Sequence, residues 1–174
     1  MARQDAFWVA HDALGSSVDR RDLSVYDLSL ERAGMFDFAF MGTLLHHLRD
    51  PVGALMAVRG VLRGSLLCHE VIAPWLSLLR PRAPTPRLMA RRAPFWWIPN
   101  RAALHRMIEA AGFRILQAGG PHLLRYGAGR SAPPLLDPAR RLHGVGDRLM
   151  VRFGVPHVWA MAAPIAPAAA ADQP

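Results

Sequence analysis

Two apolar segments joined by one clearly punctuated helix constrain this chain more than any other feature. Residues 36–42, FDFAFMG, and 65–72, SLLCHEVI, are apolar on both faces. That is the pattern of strands buried inside a parallel sheet, since a half-exposed strand would alternate apolar with polar. Between them Asp50 offers a side-chain N-cap and Pro51 takes the first helical position, where a missing N–H costs nothing. Val52, Leu55, Met56 and Leu62 then share an apolar face, and Gly64 is expected to end the helix. Strand, helix and strand at this spacing predict an α/β domain with a mostly parallel sheet and flanking helices.

The flanking sequence extends the pattern. DAFWVAHDAL (5–14) reads as a helix closed by Gly15, and LSVYDL as a short strand. The Pro- and Arg-rich stretch 74–94 reads as an excursion, a lid or insertion with one helical turn around 87–92. Asn100 caps RAALHRMIEAA, whose Leu104, Met107, Ile108 and Ala111 lie on one side, with Gly112 at its end and FRILQAG as the next strand. Residues 119–154 are less regular, and VPHVWAMA forms a last strand. Residues 1–162 are therefore expected to make one domain, and 163–174 a disordered Ala/Pro tail. Ligands bind such sheets at the carboxyl ends of the strands, which directs attention to residues 26–28, 41–47 and 70–74.

Composition narrows the class. A chain of 174 residues that is 52% hydrophobic can bury one core and is not a disordered chain. Its formal charge of +8 comes entirely from arginine, with no lysine. GC-rich coding produces the same bias, so the charge is weak evidence for a polyanion partner. A lone Cys68 forms no intramolecular disulfide, the opening residues lack the apolar core of a secretory signal, and Pro156, Pro164 and Pro167 interrupt the longest apolar run. The expectation is a cytoplasmic protein without a membrane span.

The segment FDFAFMGTLLHHLRDPVGALMAVRGVLRGSLLCHEVI resembles the half of class I S-adenosylmethionine-dependent methyltransferases that follows the cofactor loop. In that family FD, a strand, a small-residue turn, LxH, a helix begun by DP and a glycine precede the next strand. WWIPNRAALHRMIEAAGF is similar to the branch containing the tRNA wobble-uridine carboxymethyltransferases, which the closing VPHVWAMAAP also suits. The resemblance covers roughly 13–118 and rests on the order and spacing of these pieces. It implies a Rossmann-like methyltransferase fold lacking its first β-α-β unit, because no strand, GxGxG-type turn and helix precede these motifs. In the sheet order 3-2-1-4-5, loss of strands one and two uncovers an apolar edge along FDFAFM, open to self-association or to a polypeptide that completes the sheet, unless LSVYDL moves inward to pair with it.

The resemblance also implies roles for particular residues. Asp27 would accept from the adenine amino group of S-adenosyl-L-methionine while the backbone of its neighbours Tyr26 and Leu28 reads the ring edge, and Met41 and Leu45 would line the cofactor pocket. The plainer readings are a turn aspartate and two packing side chains. His46 matches the LxH histidine and is the candidate proton acceptor or substrate-orienting group, with a structurally satisfied histidine as the plainer reading. Adjacent His47 would point about 100° away on a helix, so the pair suits no metal. His69 and Glu70 alternate across a strand and make no site by themselves. Trp96, Trp97 and Asn100 could wall a substrate pocket or merely anchor the lid. Arg80, Arg82, Arg87, Arg91 and Arg92 could steer RNA or simply be solvated. The implied function is methyl transfer to an unidentified small molecule or an RNA such as tRNA; the alternative is a non-catalytic remnant acting as a protein-interaction module.

Overall fold

A computed structural model describes residues 6–89, 95–125 and 153–165. The core is a five-stranded sheet of order β1-β2-β7-β5, with β6 paired to β7. Its strands are β1 (Phe36–Gly42), β2 (Leu62–Val71), β5 (Phe113–Ala118), β6 (His122–Leu124) and β7 (Val155–Pro164). The β1 and β2 strands are parallel, and β7 runs antiparallel to β2, β5 and β6. Four strands thus share one direction and only β7 opposes them, which makes a mostly parallel α/β sheet. A separate two-stranded ribbon, β3 (Pro86–Leu88) with β4 (Trp97–Pro99), lies in the excursion. No helix among the described residues is long and apolar enough to cross a membrane.

Local sequence accounts for the helices. Helix α1 (Ala6–Ala13) ends where Gly15 takes φ +54°, and α2 (Leu30–Ala33) is capped by the Ser29 hydroxyl. The Asp50 carboxylate accepts from Gly53 N–H at 2.8 Å to start α3 (Pro51–Gly60), and the Asn100 side chain accepts from Ala103 N–H at 2.8 Å to start α5 (Arg101–Ala110). Leu55 and Val58 of α3 and Leu104 and Ile108 of α5 pack with Leu66, Cys68, Val158, Ala160 and Ala162 of the central strands. Burial of this set is the main stabilising contribution. Gly112, at φ +85°, closes α5, and its carbonyl accepts from Arg59 Nε–H at 3.1 Å.

Several expectations are corrected. LSVYDL is no strand: Val25–Asp27 is a 3-10 turn capped by Ser24, and no described strand other than β2 pairs with β1. Helix α3 stops at Gly60, and Gly64 belongs to β2, where a Cβ would collide with the Asp37 carbonyl of the adjoining strand. Glycine is there for close strand approach. Met56 turns outward, 57% exposed, and Leu62 begins β2. In the excursion the helix is α4 (Pro74–Leu79), while Arg87 and Leu88 are extended in β3. Strand β1 is not enclosed on both faces, since Phe36, Phe38 and Phe40 are exposed. Ala163 and Pro164, expected in the tail, belong to β7 and pair with Arg114 and Phe113 of β5, while the rest of the tail from residue 166, with Arg91, Arg92 and most of 119–154, lies outside the described residues.

Candidate functional site

The carboxyl ends of β1 and β2 hold the densest polar chemistry of the domain. After Gly42 the chain makes a strained step, with Thr43 at φ +56°. That conformation is costly for a β-branched residue, and such strain gathers where a fold must aim groups. The Thr43 N–H donates to the His69 carbonyl at 2.7 Å. A 3-10 turn, Leu45–His47, follows and swings His46 over the end of β2.

There it meets Glu70, which is completely buried in a strand of apolar neighbours. A carboxyl group so placed needs donors, because desolvation without them costs several kcal/mol. It receives them from Leu45 N–H at 2.6 Å, His46 Nδ1–H at 2.6 Å and Val71 N–H at 2.8 Å. Donation from Nδ1 fixes the imidazole tautomer and leaves the lone pair on Nε2, the arrangement in which a carboxylate orients a histidine base. His46 is itself buried, its ring centroid 3.9 Å from that of His47 and 5.0 Å from that of Phe95. The 3-10 turn thus brings together two rings that helical geometry would have separated. Trp96 N–H donates to the His46 carbonyl at 2.7 Å, which fastens the excursion over the turn.

A second histidine group adjoins the first. His69 and His122 share a hydrogen between their Nε2 atoms at 3.0 Å, and His69 stacks on His157 with centroids 4.6 Å apart. His157 Nδ1–H donates to the Val155 carbonyl at 2.7 Å, so its Nε2 accepts from the Thr43 hydroxyl at 3.4 Å. Burial holds both His69 and His157 below the ordinary imidazole range; His157 and His122 add to the depression of His69. These rings stack and do not converge: among the described residues no group of three or more His, Cys, Asp or Glu is arranged to hold a metal ion. Burial, reinforced by Glu70, pushes the Cys68 thiol far up, which makes it a packing residue without thiolate reactivity.

The residues singled out in the sequence distribute unevenly. Met41 and Leu45 are buried in the core cluster at the site's floor. Tyr26 lies beside the start of α3, its hydroxyl oxygen accepting from Asp50 N–H at 3.3 Å, with Leu28 packed against the core. Asp27 is exposed and pairs with Arg32 at 3.6 Å. Trp97 Nε1–H donates to the Arg49 carbonyl at 2.9 Å, and the Arg49 guanidinium lies 4.5 Å from the Trp96 ring centroid. Asn100 is fully buried. Its Oδ1 accepts from Ala103 and Thr85, and its Nδ2 donates to the carbonyls of Arg80 and Ala83 at 3.0 and 2.9 Å. That amide works inside the protein, tying the excursion to α5. Sequence reasoning missed the roles of Glu70, Thr43, Phe95 and His157. Only Glu70 carried a signal, a lone acid in a strand otherwise read as apolar on both faces.

Comparison with solved structures places the fold in a known architecture. The 1,6-didemethyltoxoflavin-N1-methyltransferase of Burkholderia thailandensis, solved with S-adenosylhomocysteine bound, matches at a TM-score of 0.57 and 15% identity, over 91% of this chain and 56% of its own. The fold is that of the S-adenosylmethionine-dependent methyltransferases. The [4+2]-cyclase SpnF matches at 0.56 and 19% identity over 91% and 62%, and the N-terminal domain of EvdMO1, solved with SAH and D-fucose, at 0.51 and 16% over 91% and 60%. This chain therefore spans about three fifths of the length of these structures. No protein-family model and no curated protein matches the sequence. A cyclase among the neighbours illustrates that this fold does not by itself fix the reaction.

Proposed function

We propose that the chain carries the acceptor side of an S-adenosylmethionine-dependent methyltransferase, with His46 as the group that takes the acceptor's proton. The observation that supports this reading most is the buried Glu70 and His46 pair at the carboxyl ends of two parallel strands. Tyr26, Asp27 and Leu28 offer a phenol, a carboxyl and backbone amides, chemistry suited to an aminopurine and its ring edge. The fit is to the nucleoside half only. Strand β1 leads through Thr43 into a 3-10 turn, and no described strand is followed by the glycine turn and helix N-terminus that would receive an amino-acid carboxylate.

When bound, the cofactor would supply an electrophilic sulfonium methyl group. The chain's own part is to orient and to hold a proton. Glu70 fixes the His46 ring through Nδ1, Phe95 and His47 cover its faces, and Nε2 would receive the proton of a hydroxyl or amine acceptor as that atom bonds to the methyl carbon. General base assistance of this kind is worth about 10²- to 10⁴-fold in rate. The acceptor is a small molecule or an RNA, with the tRNA-modifying branch as the narrower proposal, and the cytoplasm as the compartment. Calorimetry with S-adenosylhomocysteine tests the cofactor, and transfer of labelled methyl from S-adenosylmethionine to hydroxyl- and amine-bearing small molecules and to bulk tRNA tests the reaction. Saturable binding at micromolar affinity, with transfer lost on His46→Gln, is expected; absence of both refutes catalysis by this chain.

A second reading, an interaction module without catalysis, is favoured by the aromatic face that β1 leaves open.

A further inference from the structure

Thr43 is the single non-glycine among the described residues to take a positive φ, at +56°. Glycine would adopt that conformation without steric cost, whereas a β-branched side chain is strained there. The polar partner that the Thr43 hydroxyl finds among the described residues is His157 Nε2, at 3.4 Å and 114 residues further along the chain. Its N–H donates to the His69 carbonyl at 2.7 Å, one step beyond the Gly42 and His69 pair that ends the β1 and β2 register. Thr43 is thus pinned to β2 by its backbone and to β7 by its side chain.

The anchor on β7 is itself held. His157 is buried, and it pairs with Val71 of β2 on one side and His122 of β6 on the other. Its Nδ1–H donates to the Val155 carbonyl at 2.7 Å, and the His69 ring lies 4.6 Å away with the two planes 9° apart. These contacts fix the position and tilt of the ring and leave Nε2 to accept from Thr43. From Thr43 the chain passes through Leu44 into the Leu45–His47 turn, where Leu45 N–H and His46 Nδ1–H both reach Glu70 at 2.6 Å. One residue separates the strained step from the first of those bonds. Relaxation of Thr43 to an ordinary negative φ would swing the turn away from Glu70.

We infer that His157 is a positioning residue for His46: through the Thr43 hydroxyl it holds the strained step that seats the His46 imidazole on Glu70. The chemical meaning of that seat rests on the proton-accepting role proposed for His46, while the seat itself does not.

Proton and nitrogen NMR of the intact chain, recorded above pH 6.5 where His157 is neutral, tests this without reference to turnover. The reporter is His46 Nδ1–H, identified by its loss in His46→Gln; a 2.6 Å bond to a buried carboxylate moves it far downfield and shields it from exchange with water. Thr43→Ser keeps the hydroxyl and should leave that signal in place. Thr43→Val keeps the branched shape without the hydroxyl, and the signal should move upfield and exchange at least about tenfold faster. His157→Phe keeps a ring against His69, His157→Asn keeps a donor for the Val155 carbonyl, and neither offers Thr43 an Nε2 acceptor; both should act as Thr43→Val does. Combining either with Thr43→Val should do no further harm, because both changes cut the same link. Thr43→Gly separates positioning from stability: its melting temperature should stay close to that of the unaltered chain, since relief of strain offsets the greater freedom of the unfolded state, yet the signal should be lost. Methyl transfer, where it is measurable, should show a lower kcat for Thr43→Val at an unchanged KM for S-adenosylmethionine. Where no transfer occurs the His46 signal still decides, so the two readings fail separately. The inference is overturned if the unaltered chain shows no such signal, if Thr43→Val or a His157 variant shown to be folded by circular dichroism leaves the signal and its exchange unchanged, if Thr43→Ser loses it as completely as Thr43→Val, or if its loss merely follows melting temperature across the series.

Discussion

Strands β1 and β7 are built from similarly apolar sequence, FDFAFMG and VPHVWAMAAP, yet they have opposite surroundings. Strand β7 sits between β2 and β5 with Val158, Ala160 and Ala162 wholly buried, whereas β1 has one strand neighbour among the described residues and three exposed phenylalanines. Hydrophobicity specifies that a strand can be buried. Which neighbours exist determines whether it is.

The largest effect expected from this contrast comes from the buried carboxyl group beside the core. Glu70→Ala strips acceptors from two backbone N–H groups and from His46, and should cost about 3 to 5 kcal/mol in urea denaturation. Phe38→Ser on the open face should stay within about 0.5 kcal/mol at concentrations where the chain is monomeric. Equal costs for the two would abolish the distinction between the regions. Next, Gly64→Ala drives a Cβ into the Asp37 carbonyl and should destabilise by about 2 to 3 kcal/mol, because backbone must move at the joint between β1 and β2. Asn100→Ala removes the α5 cap and the ties to Arg80 and Ala83, with an expected loss of about 1 to 2 kcal/mol. Its signature should be faster amide exchange at Thr85, with little change in β1.

A pH titration of thermal stability should resolve a smaller effect confined to the buried side. His69 and His157 are held below their ordinary value of 6.5, so the unfolded chain binds more protons as pH falls. The stability they contribute is full above 6.5 and declines as pH drops through that value toward their lowered folded values. His157→Gln should flatten the decline; an unchanged slope would show that the imidazole cluster does not report on folding. The smallest effect belongs to the exposed Asp37 and Arg63 pair, whose hydrogen bond and charge lower the Asp37 carboxyl. Asp37→Asn should move the melting temperature barely beyond measurement error, since solvent screens such pairs.

Much of the fold could be read without coordinates wherever local chemistry decides the outcome. Asp50 with Pro51, Asn100, Gly15 and Gly112 mark helix ends because caps and positive φ are short-range requirements, and each has that function here. Reading failed where a residue answers to a distant partner. Gly64 looked like a helix stop, but its lack of a Cβ serves the approach of Asp37. Tyr26 and Asp27 looked like a strand end, although Ser24 offered a cap that favours a turn. Of the site, His46 was legible as a position, and Glu70 only as an acid out of place.

The sequence by itself determined the order β1, α3, β2 with its Asp50 cap and the apolar stripe of the capped helix α5, because periodicity and capping act over a few residues. Tertiary structure alone decided that Glu70, 24 residues along the chain from His46, becomes its hydrogen-bond partner, that His157 stacks on His69, and that Met41 of β1 is buried while Phe36, Phe38 and Phe40 are exposed. Those outcomes depend on which strands lie side by side, and strand adjacency is set by the packing of the whole sheet, beyond the reach of any local pattern.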